Sequence, residues 1–310
     1  MQKLLALLPA LLIAASASVA PDWALPVAPP GKPAVWDKIE PRNLRGSSAH
    51  FSDAQMHDLH RAVDWWQSEH PPLPESVAVG VGSAGACGYC HLPDGAGRPE
   101  NAALAGLPAD YIREQVEAFA GGERAPLDGK WPPSVFMRTT AKAASAEVVR
   151  EAADYFSRLR FTSHVRVVER ARIPGAVAES YVYALDRSTS EPLGLRIVEV
   201  PDSFEHFEMR DAHLGYTAYV PPGAVSAGAA MARSGGPAGQ PCALCHGTGL
   251  KGGVAPPLAG RSPSYLARQL FGFRAGTRAN AAAAPMRIVA ERLSDRNIID
   301  LAAYAGSRRP

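Results

Sequence analysis

The sequence predicts a mainly α-helical chain built from two tandem copies of one helical unit, with a small β-rich insert between them. Two observations carry this prediction. A five-residue cysteine motif occurs twice, and each copy is followed by the same helical pattern. A third observation is the different composition of the segment between the copies, which is rich in Val, Ile and Tyr, as β-strands commonly are. The length of 310 residues is enough for two domains of ordinary size.

The repeated motif is C-x-x-C-H. It reads Cys-Gly-Tyr-Cys-His at residues 87–91 and Cys-Ala-Leu-Cys-His at residues 242–246. This pentapeptide is typical of covalent c-type haem attachment, because two thiols on one helical turn reach the two porphyrin vinyl groups and the next residue brings an imidazole to the iron. We therefore expect two covalent haems c, with thioether bonds and proximal iron ligands from Cys87, Cys90 and His91 and from Cys242, Cys245 and His246.

Three alternatives compete with haem attachment at this motif. A zinc site of four thiolates usually keeps its two halves closer than Cys90 and Cys242 are, and it would not need a histidine after each pair. A thioredoxin-like redox pair needs a βαβ context that this sequence lacks. The third alternative is chance, which two copies that use all 4 cysteines of the chain argue against.

A repeated helical pattern follows each motif, at residues 104–125 and 258–279. Both stretches begin Leu-Ala-Gly, and they then share Tyr111/Tyr265, Gln115/Gln269, Phe119/Phe273, Gly122/Gly276 and Arg124/Arg278. Their apolar residues fall on one helical face, and a glycine ends each pattern. A further helix closes each half, and each of these helices begins at a serine that can cap it, Ser145 or Ser294. The sequence also predicts a helix before each motif, at 52–69, where Ser52 and Gln55 can form a capping box, and at 226–233.

Each half offers one methionine as the sixth iron ligand. Met137 and Met286 stand at equivalent places in the repeat, in proline-containing stretches that we predict to be loops. A thioether suits haem iron, and His/Met ligation raises the potential into an electron-carrier range. The alternative is that these residues are core filler, as methionine commonly is. Other residues that could compete as ligands fit this pattern less well: Met56, Met209, Met231, His57, His60, His164, His206 and His213.

These features together resemble the dihaem cytochromes c that are built from two tandem class I cytochrome c domains, the cytochrome c-four type. The two haem motifs, the shared Tyr-Gln-Phe-Gly-Arg helices, the Ala-Pro-Met stretch that ends at Met286 and the Ser-led last helices carry the resemblance. It covers roughly 51–160 and 222–310. The resemblance implies periplasmic electron transfer, two His/Met haems, protein redox partners and no bound substrate.

The predicted organisation has five parts. They are a signal peptide at 1–20, an N-terminal extension at 21–50, a first cytochrome c domain at 51–160, a β-rich connecting segment at 161–221 and a second cytochrome c domain at 222–310. The first part has a positive residue, an apolar run and small residues before a cleavage point. An uncleaved anchor is the alternative, but the apolar run is shorter than the ~20 residues of a spanning helix. We therefore expect a periplasmic protein, with any membrane association made through a partner.

The predicted function is electron transfer between a dehydrogenase or quinol-oxidising complex and a terminal oxidase or reductase, with no catalytic residue. A formal charge of +2 argues against a nucleic-acid partner. The rivals are a dihaem peroxidase, which needs one open iron position, and a haem subunit of a dehydrogenase complex. A His/Cys-ligated haem is excluded because no cysteine remains outside the motifs. The connecting segment is either a spacer that docks the two halves or a recognition surface.

Overall fold

The computed structural model describes residues 20–30 and 43–310 of the chain. The predicted signal peptide at 1–20 lies outside these residues except for Ala20, as does the middle of the N-terminal extension. Within the described ranges, no helix is both long enough and apolar enough to cross a membrane. In the same ranges, six α-helices come first, then five strands with one short helix among them, and then five more α-helices.

The first half carries the helices α1 (Asp53–Met56), α2 (Glu75–Ala78), α3 (Cys87–His91), α4 (Ala109–Gly121), α5 (Pro132–Ala143) and α6 (Ala146–Arg158). Helix α4 ends at Gly122, whose φ of 85° is the left-handed conformation that glycine adopts readily. Helix α6 begins at Ser145, whose hydroxyl accepts a hydrogen bond from the Val148 N–H, as predicted. The two helices share a buried core that includes Ile112 and Phe156.

The second half carries α8 (Ala224–Ser234), α9 (Ala243–His246), α10 (Pro263–Arg274), α11 (Ala284–Ala290) and α12 (Asp295–Gly306). Helix α8 contains the helix that we predicted at 226–233. Helix α12 begins with a capping box in which Ser294 and Asn297 satisfy each other's backbone N–H groups. The core of this half contains Phe271, Ile298 and Ile299, which are fully buried.

The prediction of loops around the two candidate methionines was wrong. Met137 lies inside α5 and Met286 lies inside α11. The prolines that suggested loops occupy the first turns of these helices, at Pro132 and Pro285. Proline is tolerated there because the first backbone N–H groups of a helix have no intrahelical acceptor, so the missing donor costs nothing. Both methionines are therefore held by regular helical backbone.

A long helix predicted at 52–69 was also wrong beyond its first turn. The capping box of Ser52 with Gln55 is present, but the helix that it starts, α1, ends at Met56. The following residues are drawn into tertiary contacts. The Trp65 indole donates to the Met209 carbonyl oxygen at 2.6 Å, and its ring is buried beside Met56. Long-range burial of a large aromatic ring outweighs a weak local helix preference here.

The connecting segment carries five strands and one short helix: β1 (Val165–Glu169), β2 (Arg172–Glu179), β3 (Val182–Pro192), β4 (Val198–Pro201), α7 (Phe204–Glu208) and β5 (Tyr216–Val220). Strand β5 is the centre of a three-stranded sheet. It pairs parallel to β1, with Val165 opposite Tyr216, and antiparallel to β4, with Val198 opposite Tyr219. Strands β2 and β3 form a separate antiparallel pair.

The connecting segment packs against both halves. On the first half, the Arg210 guanidinium lies 3.4 Å from the ring centroid of Tyr89, inside the first cysteine motif, and donates to the Tyr89 carbonyl oxygen at 3.0 Å. On the second half, the Glu199 carboxylate accepts hydrogen bonds from Ser262 Oγ at 2.7 Å and from the Ser264 N–H at 3.0 Å, at the start of α10. The segment is thus bound to the first motif itself and to the helix that follows the second motif.

Candidate haem sites

The first cysteine motif forms the short helix α3, which presents Cys87, Cys90 and His91. A Cβ at Gly88 would lie 2.8 Å from the Val77 carbonyl oxygen, so glycine lets this helix pack closely against α2. His91 Nδ1 lies 2.8 Å from the carbonyl oxygen of Ala102. Because a carbonyl oxygen only accepts, Nδ1 carries the proton and Nε2 keeps its lone pair for a metal.

The second motif repeats this arrangement. Cys242 stands at the start of α9, and Cys245 and His246 lie within it. His246 Nδ1 lies 2.8 Å from the carbonyl oxygen of Pro256, which again leaves Nε2 as the available lone pair. Burial lowers the pKa of His246 and of His91, so both imidazoles are neutral at pH 7. Neutral imidazole is the form that ligates metals.

One cavity brings together all four candidate residues of the first site. Its lining includes Cys87, Cys90, His91 and Met137. Aromatic side chains make up much of the remaining wall: Phe119, Trp131, Phe136 and Phe156. Large apolar walls with few polar groups are what a porphyrin ring needs. In the second half, Met286 packs against a buried cluster that contains Phe273, the repeat equivalent of Phe119.

Five of the eight competing residues are engaged elsewhere. Met56 and Met209 belong to the same buried cluster, and Met231 packs against the core of the second half. His206 pairs with Asp211 at 2.8 Å, and His213 pairs with Glu69 at 2.7 Å. In the described part of the chain, no group of three or more His, Cys, Asp or Glu side chains is arranged to hold a metal ion.

The shared arginine of the repeat crosses the boundary between the halves. Arg124 of the first half donates through Nη2 to Gln269 Oε1 at 2.7 Å and to the Tyr265 hydroxyl at 3.2 Å. The adjacent backbone also bonds across the boundary, since the Ala125 N–H donates to the Thr277 carbonyl oxygen at 2.7 Å. Burial by itself would raise the pKa of Tyr265, but the two arginines Arg124 and Arg278 beside it lower that pKa.

The second half returns the same contacts. Arg278 donates through Nη2 to Gln115 Oε1 and to the Tyr111 hydroxyl, both at 2.7 Å. Each arginine also lies over the phenylalanine of its own half, Arg124 over Phe119 and Arg278 over Phe273. The repeat alignment contained all of these residues, but sequence reasoning assigned no role to the arginines. The signal that could have found them is a charged residue kept in both copies just beyond the glycine helix stop.

The two arginines test whether the cavity fits a haem. Both guanidinium groups are buried and line the first cavity. Their hydrogen-bond acceptors are neutral amide and hydroxyl oxygens, and Arg278 Nε has no acceptor among the described residues. Adjacent buried cations are costly without an anion. A haem carries two propionate carboxylates, so the residues present fit this group and would hold its polar edge at the boundary.

Comparison with known proteins points to the same class of cofactor. No family model matches the chain. Cytochrome c-554(548) of Halomonas halodenitrificans is 41% identical over 69 residues, which cover 22% of this chain and 83% of that protein. Cytochrome c4 of Azotobacter vinelandii is 26% identical over 241 residues, 74% of this chain and 87% of that protein.

Two further similarities were found. The thiosulfate dehydrogenase electron acceptor of Thiomonas intermedia is 27% identical over 226 residues, 72% of this chain and 78% of that protein. Among solved structures, reduced recombinant cytochrome c4 from Pseudomonas stutzeri is 22% identical, with a TM-score of 0.47 over 72% of this chain and 93% of that one. The two motifs, the sequence relatives and the fit of the first cavity agree. The chain belongs to the c-type cytochromes, and its two motifs and its longer relatives match a dihaem cytochrome c of the c4 type.

Proposed function

We propose that the protein is a periplasmic electron carrier in which each half, 51–160 and 222–310, holds one haem c. The haems are attached through Cys87 and Cys90 and through Cys242 and Cys245. The axial ligands are His91 with Met137 and His246 with Met286. The single observation that supports this proposal best is the cavity that the first motif shares with Met137. When bound, a haem supplies a one-electron couple, and the protein supplies its position and its surroundings.

The protein's own residues set those surroundings. The hydrogen bonds from His91 to Ala102 and from His246 to Pro256 orient each imidazole and raise its basicity as a ligand. The aromatic walls of the first cavity are apolar, and charge effects are stronger in apolar surroundings than in water. Arg124 and Arg278 supply positive charge at the boundary between the halves. In this proposal, an electron that moves from one half to the other crosses this boundary.

The partners follow from the class of protein. The Thiomonas relative is named as the electron acceptor of a thiosulfate dehydrogenase, so we propose a dehydrogenase as the donor, with thiosulfate dehydrogenase the first to test. A quinol-oxidising complex is the alternative donor. The proposed acceptor is a terminal oxidase or reductase. In this proposal the protein turns over no substrate of its own, since both irons have an axial methionine.

The first experiment is optical spectroscopy of the exported protein, oxidised and reduced, with a pyridine haemochrome count and a peroxide challenge. Two haems per chain, a ferric Met-ligation band at two-haem intensity and no peroxide turnover support the carrier. Met137→Leu and Met286→Leu should each remove half of that band. Met231→Leu, which changes a core methionine, is the control and should leave it intact. One high-spin haem with peroxide turnover in the unmodified protein would overturn the proposal.

A further inference from the structure

One buried arginine breaks the symmetry of the repeat. The shared Leu-Ala-Gly is followed by Leu107 in the first half and by Arg261 in the second. Leu107 packs in the core of its own half. Arg261 is equally buried, at 4% exposure, but its side chain reaches out of its own half. A charge at this position is unexpected from the repeat, because the equivalent residue is purely apolar.

The Arg261 guanidinium joins backbone carbonyl groups from both halves. Its Nη1 donates to the Ala103 oxygen at 2.5 Å and its Nη2 donates to the Ala105 oxygen at 3.2 Å, both in the first half. Its Nε donates to the Pro257 oxygen at 2.8 Å, in the second half. The planar fork of an arginine can hold several acceptors in fixed directions, which a lysine cannot do.

These carbonyl groups belong to the two loops that hold the proximal histidines. In the first half, His91 donates to Ala102, the residue before Ala103. In the second half, His246 donates to Pro256, the residue before Pro257. Each loop therefore binds a histidine at one carbonyl group and Arg261 at the next. A single side chain therefore connects the two loops through hydrogen bonds.

Arg261 also remains a cation in this place. Burial lowers its pKa to about 10, which is still well above neutral pH. Its guanidinium lies over the Phe161 ring, 4.5 Å from the centroid. Arg261 thus places a positive charge within hydrogen-bond distance of both loops, and removing it would change the electrostatic field at both sites.

We propose that Arg261 is a positioning residue that couples the two haem sites, so that the oxidation state of one site alters the potential of the other. This inference rests on the proposed ligation by His91 and His246. With haems bound, a change of charge at one site would alter the hydrogen bond of its histidine, and the shared guanidinium would pass the displacement to the other loop. Electron exchange between the sites would oxidise one haem and reduce the other by one electron each.

Two substitutions distinguish the effect of the hydrogen bonds that bridge the two loops from the effect of the positive charge of Arg261. Arg261→Leu installs the residue that the first half has at this position and removes both bridge and charge. Arg261→Lys keeps the charge but cannot hold three carbonyl groups. Arg308→Leu is the control, because Arg308 is an exposed cation on the surface above Arg261. The measurements are the midpoint potentials of both haems, and the shift in each potential when the other haem changes state, resolved by NMR during redox titration.

For Arg261→Leu, we expect both midpoint potentials to fall. We also expect a fall of roughly fivefold or more in the coupling factor, by which the oxidation state of one haem changes the redox equilibrium of the other, since couplings between sites are usually of this size. Arg261→Lys should keep both mean potentials close to those of the unmodified protein and lose the interaction. Arg308→Leu should change neither. If Arg261→Leu does not fold, Arg261→Lys alone decides.

Two results would overturn the inference while leaving the proposed function intact. One is an unchanged interaction in a variant that binds two haems with unaltered His/Met spectra. The other is a fall in only one of the two potentials, which would make Arg261 a local charge. Fewer than two haems in the unmodified protein, or spectra without Met ligation, would contradict the proposed function instead.

Discussion

Arg124 and Arg278 lie opposite each other as an antiparallel bridge between the two halves of the chain. Each donates to the glutamine of the other half, Gln269 or Gln115. Burial lowers the pKa of Arg124, and the charge of Arg278 lowers it further. Two like charges held this close in a buried place indicate a site made for an anion, which is the chemistry of the haem propionates.

Replacing one of these arginines should weaken the boundary. Arg124→Leu removes the donor to the half-buried Tyr265 hydroxyl and leaves Gln269 with only the longer hydrogen bond from Arg278, and an unsatisfied polar group costs about 1–3 kcal/mol when it is buried. We expect a lower free energy of unfolding by denaturant in the haem-loaded protein. Arg187→Leu, at an exposed position on β3, is the control and should have little effect. Equal stability of the two variants would show that the boundary does not depend on this contact.

Helices α8 and α12 pack so closely at Gly228 that there is no room for a side chain. A Cβ at Gly228 would lie 2.0 Å from the Asp300 carbonyl oxygen, so Gly228→Ala must push the helices apart. Overpacking of this kind costs about 1–3 kcal/mol of unfolding free energy. The matched control is Gly121→Ala at the end of α4, where a Cβ meets nothing within 4 Å. That variant should be neutral or slightly stabilised, since alanine favours a helix.

For the control and the test variant alike, thermal and chemical unfolding are the measurements. A Gly228→Ala variant as stable as Gly121→Ala would mean that α8 and α12 leave room for a methyl group between them.

The buried Glu199 should make stability depend on pH. Burial raises its pKa above the ordinary 4.5, although hydrogen bonds from Ser264 and Ser262 act in the opposite direction. The folded state then binds the proton more tightly than the unfolded state, so this residue's contribution to stability falls as the pH rises from about 4.5 through the folded-state pKa.

Glu199→Gln removes that titration. Relative to the variant, the unmodified protein should be more stable near pH 4.5 than at pH 7, as measured by urea unfolding at several pH values. Parallel stability curves for the two proteins across this range would contradict the raised pKa.

Arg210 should influence the first haem and not the second. Burial raises the pKa of Cys90, and the charges of Arg210 and then Arg98 lower it, so Arg210 acts electrostatically within the first motif. Removing a buried cation favours the oxidised iron. Arg210→Met should therefore lower the potential of the first haem alone in a spectroelectrochemical titration. Arg172→Met, at an exposed position in β2, is the control. Equal shifts of both haems would refute this assignment.

Local pattern was sufficient for much of the fold. The middle and terminal helices of each half could be predicted because apolar spacing, a serine cap and a glycine stop are all written within a few residues. The capping serines Ser52, Ser145 and Ser294 act as expected. The resemblance to dihaem cytochromes is confirmed by the relatives. The assignment of Met137 and Met286 as ligands stays a prediction.

The sequence by itself determined the two haem motifs, the duplication and the caps, because these depend on spacing within one element. Only the tertiary structure decided where distant residues meet. Trp65 leaves the predicted helix to bind Met209, and Arg261 leaves its own half to join two loops. No local pattern encodes such contacts, since their free energy comes from burial and hydrogen bonding between segments that are far apart in the chain.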